Sequence, residues 1–127
     1  MESRQDLDAV AVEVADAVAT ISFGSGQRFN ALGSQDWKAL QRAVDSLRGR
    51  GPLRAVVLRG RGGMFCSGSD LREWDGASGP EVSHSFELME AALQAIEDLP
   101  VPTVAAVEGY ATGAGCQLAL ACDLQLT

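Results

Sequence analysis

Apolar residues follow two different patterns along this chain, and each pattern predicts a different kind of strand. In residues 10–14 valine alternates with other residues, which predicts a strand with one buried face. Asp16 predicts a turn, and residues 18–23 predict the second strand of a hairpin. Residues 55–58 and 104–107 are wholly apolar. Such runs predict strands buried on both faces, because a strand that faces solvent would alternate.

Helical periodicity appears between these strands. Ser34 is a good N-cap residue, and the apolar residues after it fall at helical spacing, so we expect a helix that ends at Gly51-Pro52. Pro80 is suited to the first turn of a second helix. The apolar residues of that helix form an amphipathic stripe and predict its core-facing side: Val82, Phe86, Met89, Leu93 and Ile96.

Two shorter helices and a last strand complete the predicted elements. Residues 71–74 predict a short helix, residues 116–121 a longer one, and residues 123–126 the start of a strand. Apart from the short helix, the order is strand, strand, helix, strand, helix, strand, helix, strand. Strands that alternate with helices imply βαβ units, so we predict an α/β fold with a mostly parallel sheet flanked by helices.

A glycine-containing loop follows each wholly apolar strand. One loop runs over residues 60–70 and the other over residues 109–115, and ligands bind at such strand ends in α/β folds. Backbone N–H groups in such turns, and at the start of the following helix, lack partners and favour negative charge. Two such loops can direct two N–H groups at one developing oxyanion. A tight turn packed for its own sake is the alternative for the second loop.

Composition narrows the class of protein. With 127 residues, 46% hydrophobic and 21% charged, the chain fits at most one globular domain. Neither a signal peptide nor an apolar run of about 20 residues is recognisable, so we expect a cytoplasmic location and no membrane partner. Cys66, Cys116 and Cys122 lie in apolar contexts and predict reduced, buried thiols. His84 is the only histidine and is expected on an exposed helix face, and we expect no metal site.

The charge of the chain is unevenly distributed. The net charge of −7 argues against a nucleic-acid partner. Nine of the ten Lys and Arg residues nevertheless lie between Arg28 and Arg72 with only three acidic residues, so that segment carries +6 and the remainder −13. A basic patch in an acidic protein suits a compact polyanion such as a nucleotide or a pyrophosphate. A solvated charged surface is the alternative for any single arginine.

Three linked motifs carry a resemblance to a known family: FNAL at 29–32, FCSGSDL at 65–71, and AAVEGYATGAGC at 105–116, followed by CD at 122–123. Together they resemble the crotonase family, the enoyl-CoA hydratases and isomerases, over essentially the whole chain. The resemblance implies a crotonase-like (ClpP/crotonase) ββα spiral, with residues 1–127 as the N-terminal portion of one acyl-CoA-binding domain whose C-terminal part is absent. It also implies an acyl-CoA substrate, no separate cofactor, and a homotrimer or dimer of trimers at full length.

The resemblance assigns roles to individual residues. The backbone N–H groups of Ser69 and Ala114 would form an oxyanion hole for a thioester enolate, and Gln117 falls where hydratases of the family carry a catalytic glutamate. Arg28 is similar in place to a basic residue that meets the CoA phosphates, and Asp70 also predicts an N-cap for the short helix. The residues expected along the path of the acyl-CoA are Arg28, Ala31, Ser67, Gly68, Asp70, Leu71 and Gly113.

Residues outside these positions are weaker candidates for contact with the substrate or for catalysis. Met64, Trp74, Phe86 and Met89 are candidates for contact with the acyl chain, but the helical spacing of the last two favours core packing. Glu108 is a candidate base, for which a solvated or structural role is the better interpretation.

Two departures from the family pattern bear on the chemistry. Ala114 stands where the family commonly has glycine, which preserves the N–H donor. Gln117 replaces a glutamate, and an amide cannot accept and return a proton at neutral pH. We therefore expect one-base chemistry such as double-bond isomerisation in place of hydration by two glutamates. The alternative is a truncated or degenerate non-catalytic acyl-CoA-binding protein or subunit.

Overall fold

One sheet organises the structure, a computed structural model that describes residues 3–7 and 10–127. Its strands pair in chain order. The first three strands pair antiparallel with one another, and the third to the sixth pair in parallel, as predicted for a mostly parallel sheet. The strands are Ser3–Leu7 (β1), Val10–Ala15 (β2), Val18–Phe23 (β3), Ala55–Gly60 (β4), Thr103–Ala106 (β5) and Leu124–Leu126 (β6).

Strand β1 is the one strand of the described residues that the hydrophobic pattern did not predict. Its sequence, SRQDL, carries a single apolar residue, so nothing in the pattern distinguishes it from a loop. It is an edge strand held by antiparallel pairing with β2. The predicted hairpin turn is confirmed. Asp16 and Ala17 both have positive φ, which is the conformation of a two-residue turn that matches the twist of the flanking strands.

All four predicted helices are present. Three of them have shifted ends: Ser34–Leu47 (α1), Gly79–Glu97 (α2) and Ala114–Ala121 (α3). The fourth is the short 3-10 helix Leu71–Trp74, with the predicted bounds, and two further 3-10 helices, Arg28–Asn30 and Arg61–Gly63, lie in stretches predicted as loops. Helix α1 ends at Leu47, before the predicted Gly51-Pro52 stop, because its C-cap Arg48 already has extended backbone angles. Helix α3 begins two residues earlier than predicted.

The predicted N-cap of α1 is wrong by one residue. The N-cap is Gly33, and Ser34 is the first helical residue. The Asp36 carboxylate accepts a hydrogen bond of 2.7 Å from the Gly33 N–H, which satisfies a donor that glycine has no side chain to serve. Ser34 is thereby free to bind elsewhere with both its N–H and its hydroxyl.

The helices cover one face of the sheet, so the prediction of strands buried on both faces is wrong. Val56, Leu58 and Ala105 are completely buried, whereas Val57 and Val104, which point the other way, are only half-buried by the described residues. The apolar runs at 55–58 and 104–107 thus belong to strands with one covered face.

No helix within residues 3–7 and 10–127 has the length and apolar character needed to cross a membrane.

Cysteine burial separates one thiol from the other two. Cys66 and Cys122 are buried, and burial raises the pKa of Cys66 to about 11 and that of Cys122 to about 12. Cys116 is exposed near the start of α3, so the prediction of a buried thiol is wrong there. The short helix turns this position away from the core, which a pattern of small apolar neighbours does not reveal.

Thiol labelling checks this arrangement. In the native protein we expect Cys116 alone to react rapidly with a disulfide reagent at mildly alkaline pH, because the other two thiols are buried and protonated. All three should react once the protein is unfolded. The Cys116→Ser variant should lose the rapid phase, and a rapid phase that persists in this variant would contradict the described packing.

Candidate functional site

Three chain segments lie side by side beyond the ends of strands β3 to β5. They are residues 28–32 (the first segment), 66–70 (the central segment) and 110–114 (the third segment), and each leads into a helix. Leu32 of the first segment forms a parallel bridge with Ser69 of the central segment. The FNAL and FCSGSDL motifs are therefore adjacent in the structure.

The bridge to the first segment fixes the direction of the Ser69 N–H. Leu32 N–H donates to the Gly68 carbonyl at 2.8 Å, and Asp70 N–H donates to the Leu32 carbonyl at 2.9 Å. The Gly68–Ser69 peptide is trans, so its N–H points opposite to its C=O. Since that C=O faces Leu32, the Ser69 N–H faces away from the first segment. It makes no hydrogen bond with residues 3–7 or 10–127.

The third segment lies on the side to which that N–H points. Cys66 bridges Ala111 in parallel, with Cys66 N–H donating to the Tyr110 carbonyl at 2.9 Å and Thr112 N–H donating to the Cys66 carbonyl at 3.1 Å. The approach is close enough that a Cβ on Gly115 would lie 2.1 Å from the Cys66 carbonyl oxygen. Any side chain at position 115 would therefore push the two segments apart.

Ala114 presents a second unpaired amide beside the first. It is the first residue of α3, and the N-cap Gly113 has φ 55° and ψ −125°, a conformation that favours glycine. First-turn N–H groups have no partner within a helix, and that of Ala114 has none elsewhere among the described residues. A Cβ built on Gly68 would lie 3.7 Å from the Ala114 nitrogen. Ala114 N–H and the Gly68–Ser69 peptide are thus close neighbours.

A buried asparagine that the sequence analysis did not single out holds the first two loops together. Asn30 is completely buried, and its side-chain amide donates to the carbonyl oxygens of Phe23 at 3.2 Å and Phe65 at 2.9 Å. Its side-chain oxygen accepts from Gly26 N–H at 3.2 Å. Asn30 lies within the FNAL motif, which was the only sequence feature that drew attention to it. Hydrophobic periodicity gave no indication that it is buried, because an isolated asparagine is typical of a loop.

The predicted site residues differ in exposure, and those near the Ser69 peptide are the more buried. Gly68 is buried, whereas Ala31, Ser67, Ser69, Asp70 and Ala114 are half-buried. The exposed members are Arg28, Leu71, Gly113 and Gln117. The backbone of Ser67 adds a further tie, because its N–H donates to the Phe29 carbonyl at 3.0 Å.

Charge around the central segment is arranged in an ion pair and a free cation. Arg72 donates to both carboxylate oxygens of Asp70, at 3.0 and 2.6 Å, and these bonds lower the pKa of Asp70, with a smaller contribution from the charge of Arg28. The Asp70 carboxylate also accepts from Arg72 N–H at 3.2 Å, which confirms the predicted N-cap. Among residues 3–7 and 10–127 the Arg28 guanidinium has no hydrogen-bond or ion-pair partner.

The candidates for the acyl chain divide into packing residues and a surface pair. Met89 is buried in the core, and the Met64 sulfur accepts from Tyr110 N–H at 3.0 Å, a structural contact between the loops. The prediction of core packing is wrong for Phe86, which is 41% exposed and packs against Trp74 with ring centroids 5.2 Å apart. Trp74 and Phe86 thus form an aromatic pair beside the central segment.

The fold and the paired loops define a member of one enzyme family. The family model described as enoyl-CoA hydratase/isomerase matches residues 13–127, and the chain belongs to that family. The fold is crotonase-like, as predicted: the solved structures that it matches include an enoyl-CoA hydratase/carnitine racemase from Magnetospirillum magneticum, with a TM-score of 0.89 and 29% identity over 96% of this chain and 46% of that chain.

Two further relatives place the chain within the family. The enoyl-CoA hydratase from Bacillus anthracis superposes with a TM-score of 0.88 at 32% identity, over 93% of this chain and 46% of that chain. The human mitochondrial methylglutaconyl-CoA hydratase is 40% identical over 98 residues, which are 76% of this chain and 29% of the relative. The chain therefore spans less than half the length of these relatives.

Replacement of the buried asparagine tests the connection between the loops. Asn30→Ala removes a hydrogen-bond donor from the buried Phe23 and Phe65 carbonyl oxygens and the acceptor of the Gly26 N–H. We expect the free energy of unfolding to fall by roughly 2–4 kcal/mol, measured by denaturant unfolding. Gln27→Ala, at an exposed neighbouring position, is the matched control. A loss for Asn30→Ala no larger than that of the control would contradict the role.

Proposed function

We propose that this chain stabilises the enolate of an acyl-CoA thioester with two backbone amides, those of Ser69 and Ala114. Membership of the enoyl-CoA hydratase/isomerase family supports the acyl-CoA class of substrate. The observation that carries the proposal is the pair of unpaired N–H groups on adjacent segments, with Ala114 nitrogen 3.7 Å from a Cβ built on Gly68. Amides left without partners inside a packed loop structure are available to a ligand oxygen.

The chemistry follows from where charge develops on a thioester. Loss of a proton from the carbon next to the carbonyl, or addition of a nucleophile to a conjugated double bond, moves an electron pair onto the thioester oxygen. Two N–H groups fixed at hydrogen-bond distance from that oxygen stabilise the anion more than the neutral carbonyl. Their attachment to a bridged backbone means that they need not reorganise as the charge forms.

Gln117 directs the proposal towards one-base chemistry. It is exposed near the start of α3, in the same helix as Ala114, and its amide cannot exchange a proton with the substrate at neutral pH. In an isomerisation, a single base removes a proton from one carbon and returns it to another, so atoms and charge balance without a second carboxylate. The same glutamine also supports the second candidate, a non-catalytic acyl-CoA-binding protein or subunit.

The proposed substrate path follows the central segment. An unpaired Arg28 guanidinium beside it suits the phosphates of the CoA moiety, since phosphate binds strongly to arginine. The residues proposed along the path are Arg28, Ala31, Ser67, Gly68, Asp70, Leu71 and Gly113. Residues 1–127 would form the N-terminal portion of one acyl-CoA-binding domain. We also propose a homotrimer or dimer of trimers for the full-length protein and a cytoplasmic location, although the human relative is named as mitochondrial.

A proline substitution removes one proposed donor with little other change. Ala114 is the first residue of α3, a position that tolerates proline, so Ala114→Pro deletes the N–H and preserves the helix. Acetoacetyl-CoA, which enolises readily, should bind the wild-type chain more tightly than butyryl-CoA. We expect the variant to lose roughly tenfold or more of its affinity for acetoacetyl-CoA by calorimetry, the effect of one charge-assisted hydrogen bond.

Ala114→Gly, which retains the N–H, is the matched control and should keep the preference for acetoacetyl-CoA. Equal binding by the proline and glycine variants would remove the oxyanion hole from the proposal. Turnover is followed in parallel at the enoyl-thioester absorbance band, which grows as a 3-enoyl-CoA is isomerised and falls as crotonyl-CoA is hydrated. Binding without either change favours the non-catalytic candidate.

The basic residue of the proposed path gives a second prediction. Arg28→Ala should weaken binding of CoA esters by roughly threefold to tenfold at low salt, and wild-type affinity should fall as salt is added, because the contact is exposed and screened. Arg54→Ala removes the same charge before β4, at the opposite end of the strands, and should leave the affinity unchanged. Equal effects of the two variants would indicate non-specific attraction only.

A further inference from the structure

The carboxylate of Glu73 collects three hydrogen bonds from two helices. Its Oε2 accepts from Ser34 N–H at 2.8 Å, and its Oε1 accepts from the Ser34 hydroxyl and, at 3.1 Å, from the Ser85 hydroxyl. Ser34 begins α1 and Ser85 is a buried residue of α2. The Ser34 N–H is one of the donors that a helix leaves unsatisfied at its start, and the helix dipole there favours a negative charge.

Glu73 lies four residues after Ser69, on the 3-10 helix Leu71–Trp74. Ser34, its partner, lies two residues after Leu32, whose backbone is bonded on both sides of Ser69. The two short stretches are therefore tied together at both ends, once through the backbone bridge at Leu32 and once through the Glu73 carboxylate. The Gly68–Ser69 peptide lies within the first tie, and the second tie limits opening of that bridge from its Asp70 side.

The surroundings of Glu73 would not hold it in this place without those donors. The carboxylate of Asp36 is nearby: burial is the main cause that raises its pKa, and the negative charges of Asp70 and Glu73 add to the effect. A Cβ on Gly33 would lie 2.7 Å from the Glu73 Oε2 atom, so glycine at the N-cap leaves room for the carboxylate. Glu73 is exposed, and repulsion from the Asp36 carboxylate would favour its extension into solvent, so its position depends on the serine donors.

We infer that Glu73 is a positioning residue: by tying the 3-10 helix to the start of α1 and to α2, it keeps closed the backbone bridge that fixes the direction of the Ser69 N–H. The inference rests on the proposed function for the consequence of that positioning. The tie itself is a separate structural claim. Glu73 does not touch the substrate in this scheme, and it acts through the backbone between Ser69 and the 3-10 helix.

The structural half of the test is amide hydrogen exchange of the wild-type chain and its variants, followed by NMR. In Glu73→Ala the Asp70 N–H, which donates to Leu32, should exchange about tenfold faster or more, because its bridge loses the second tie. Glu73→Gln can still accept from Ser34 N–H and donate to the serine hydroxyls, so it should stay within about threefold of the wild type. Glu90→Ala removes an exposed carboxylate of α2 and should change nothing.

The functional half is the ratio of the affinities for acetoacetyl-CoA and butyryl-CoA. Glu73→Ala should reduce this ratio, whereas Glu73→Gln and Glu90→Ala should retain it. A Glu73→Ala variant that melts at a lower temperature with an unchanged ratio and unchanged Asp70 exchange overturns the inference and leaves a merely structural contact. If Glu73→Ala does not fold, a Glu73→Gln variant with wild-type stability and a collapsed ratio would also overturn it.

Failure of the proposed function has a different result. In that case the wild-type chain itself shows no preference for acetoacetyl-CoA, while the exchange measurement still decides whether Glu73 restrains the Ser69 peptide. If the Asp70 N–H exchanges at the wild-type rate in Glu73→Ala, the positioning role is wrong, whatever the ligand measurements give.

Discussion

The parallel bridge between Leu32 and Ser69 is the constraint on which the site depends. Because the Gly68 carbonyl is occupied by Leu32 N–H at 2.8 Å, the other end of that trans peptide must face the third segment. The direction of an amide is thus fixed by backbone geometry, without any side chain at position 69. The N–H donor at position 69 therefore does not depend on the side chain there, whereas position 115 has no room for one.

The three segments approach closely, so they need small residues at their contacts and hydrogen-bond partners for their buried backbone groups. Glycine at 115 admits the Cys66 carbonyl, which would otherwise lie 2.1 Å from a Cβ. Asn30 supplies donors to the carbonyl oxygens of Phe23, at the end of β3, and of Phe65, in the loop after β4. Removal of either adaptation would also disturb the hydrophobic core, since Leu32, Phe65 and Cys66 of these loops belong to it.

The sequence predicted the elements well where hydrophobic periodicity decides them, and less well where single contacts decide. The hairpin at Asp16, helix α2 and the parallel arrangement of β3 to β6 follow from alternation, capping and element order. The N-cap of α1 was missed because Gly33 has no side chain that could cap the helix, whereas Ser34 beside it has a typical capping side chain. Strand β1 and Asn30 were missed for a related reason: edge pairing and a buried amide leave no periodic signal in the chain.

The division between backbone and side chains also explains why the reaction is harder to infer than the class of ligand. An N–H donor survives any substitution except proline, so the exchange of glycine for Ala114 leaves the proposed oxyanion contact possible. Proton transfer has no such tolerance, because it requires an ionisable side chain at one place. Under the proposed function, Gln117 is therefore the residue with the greatest consequence for mechanism. Two relatives with the same loops but different residues at that position would share a ligand and differ in chemistry.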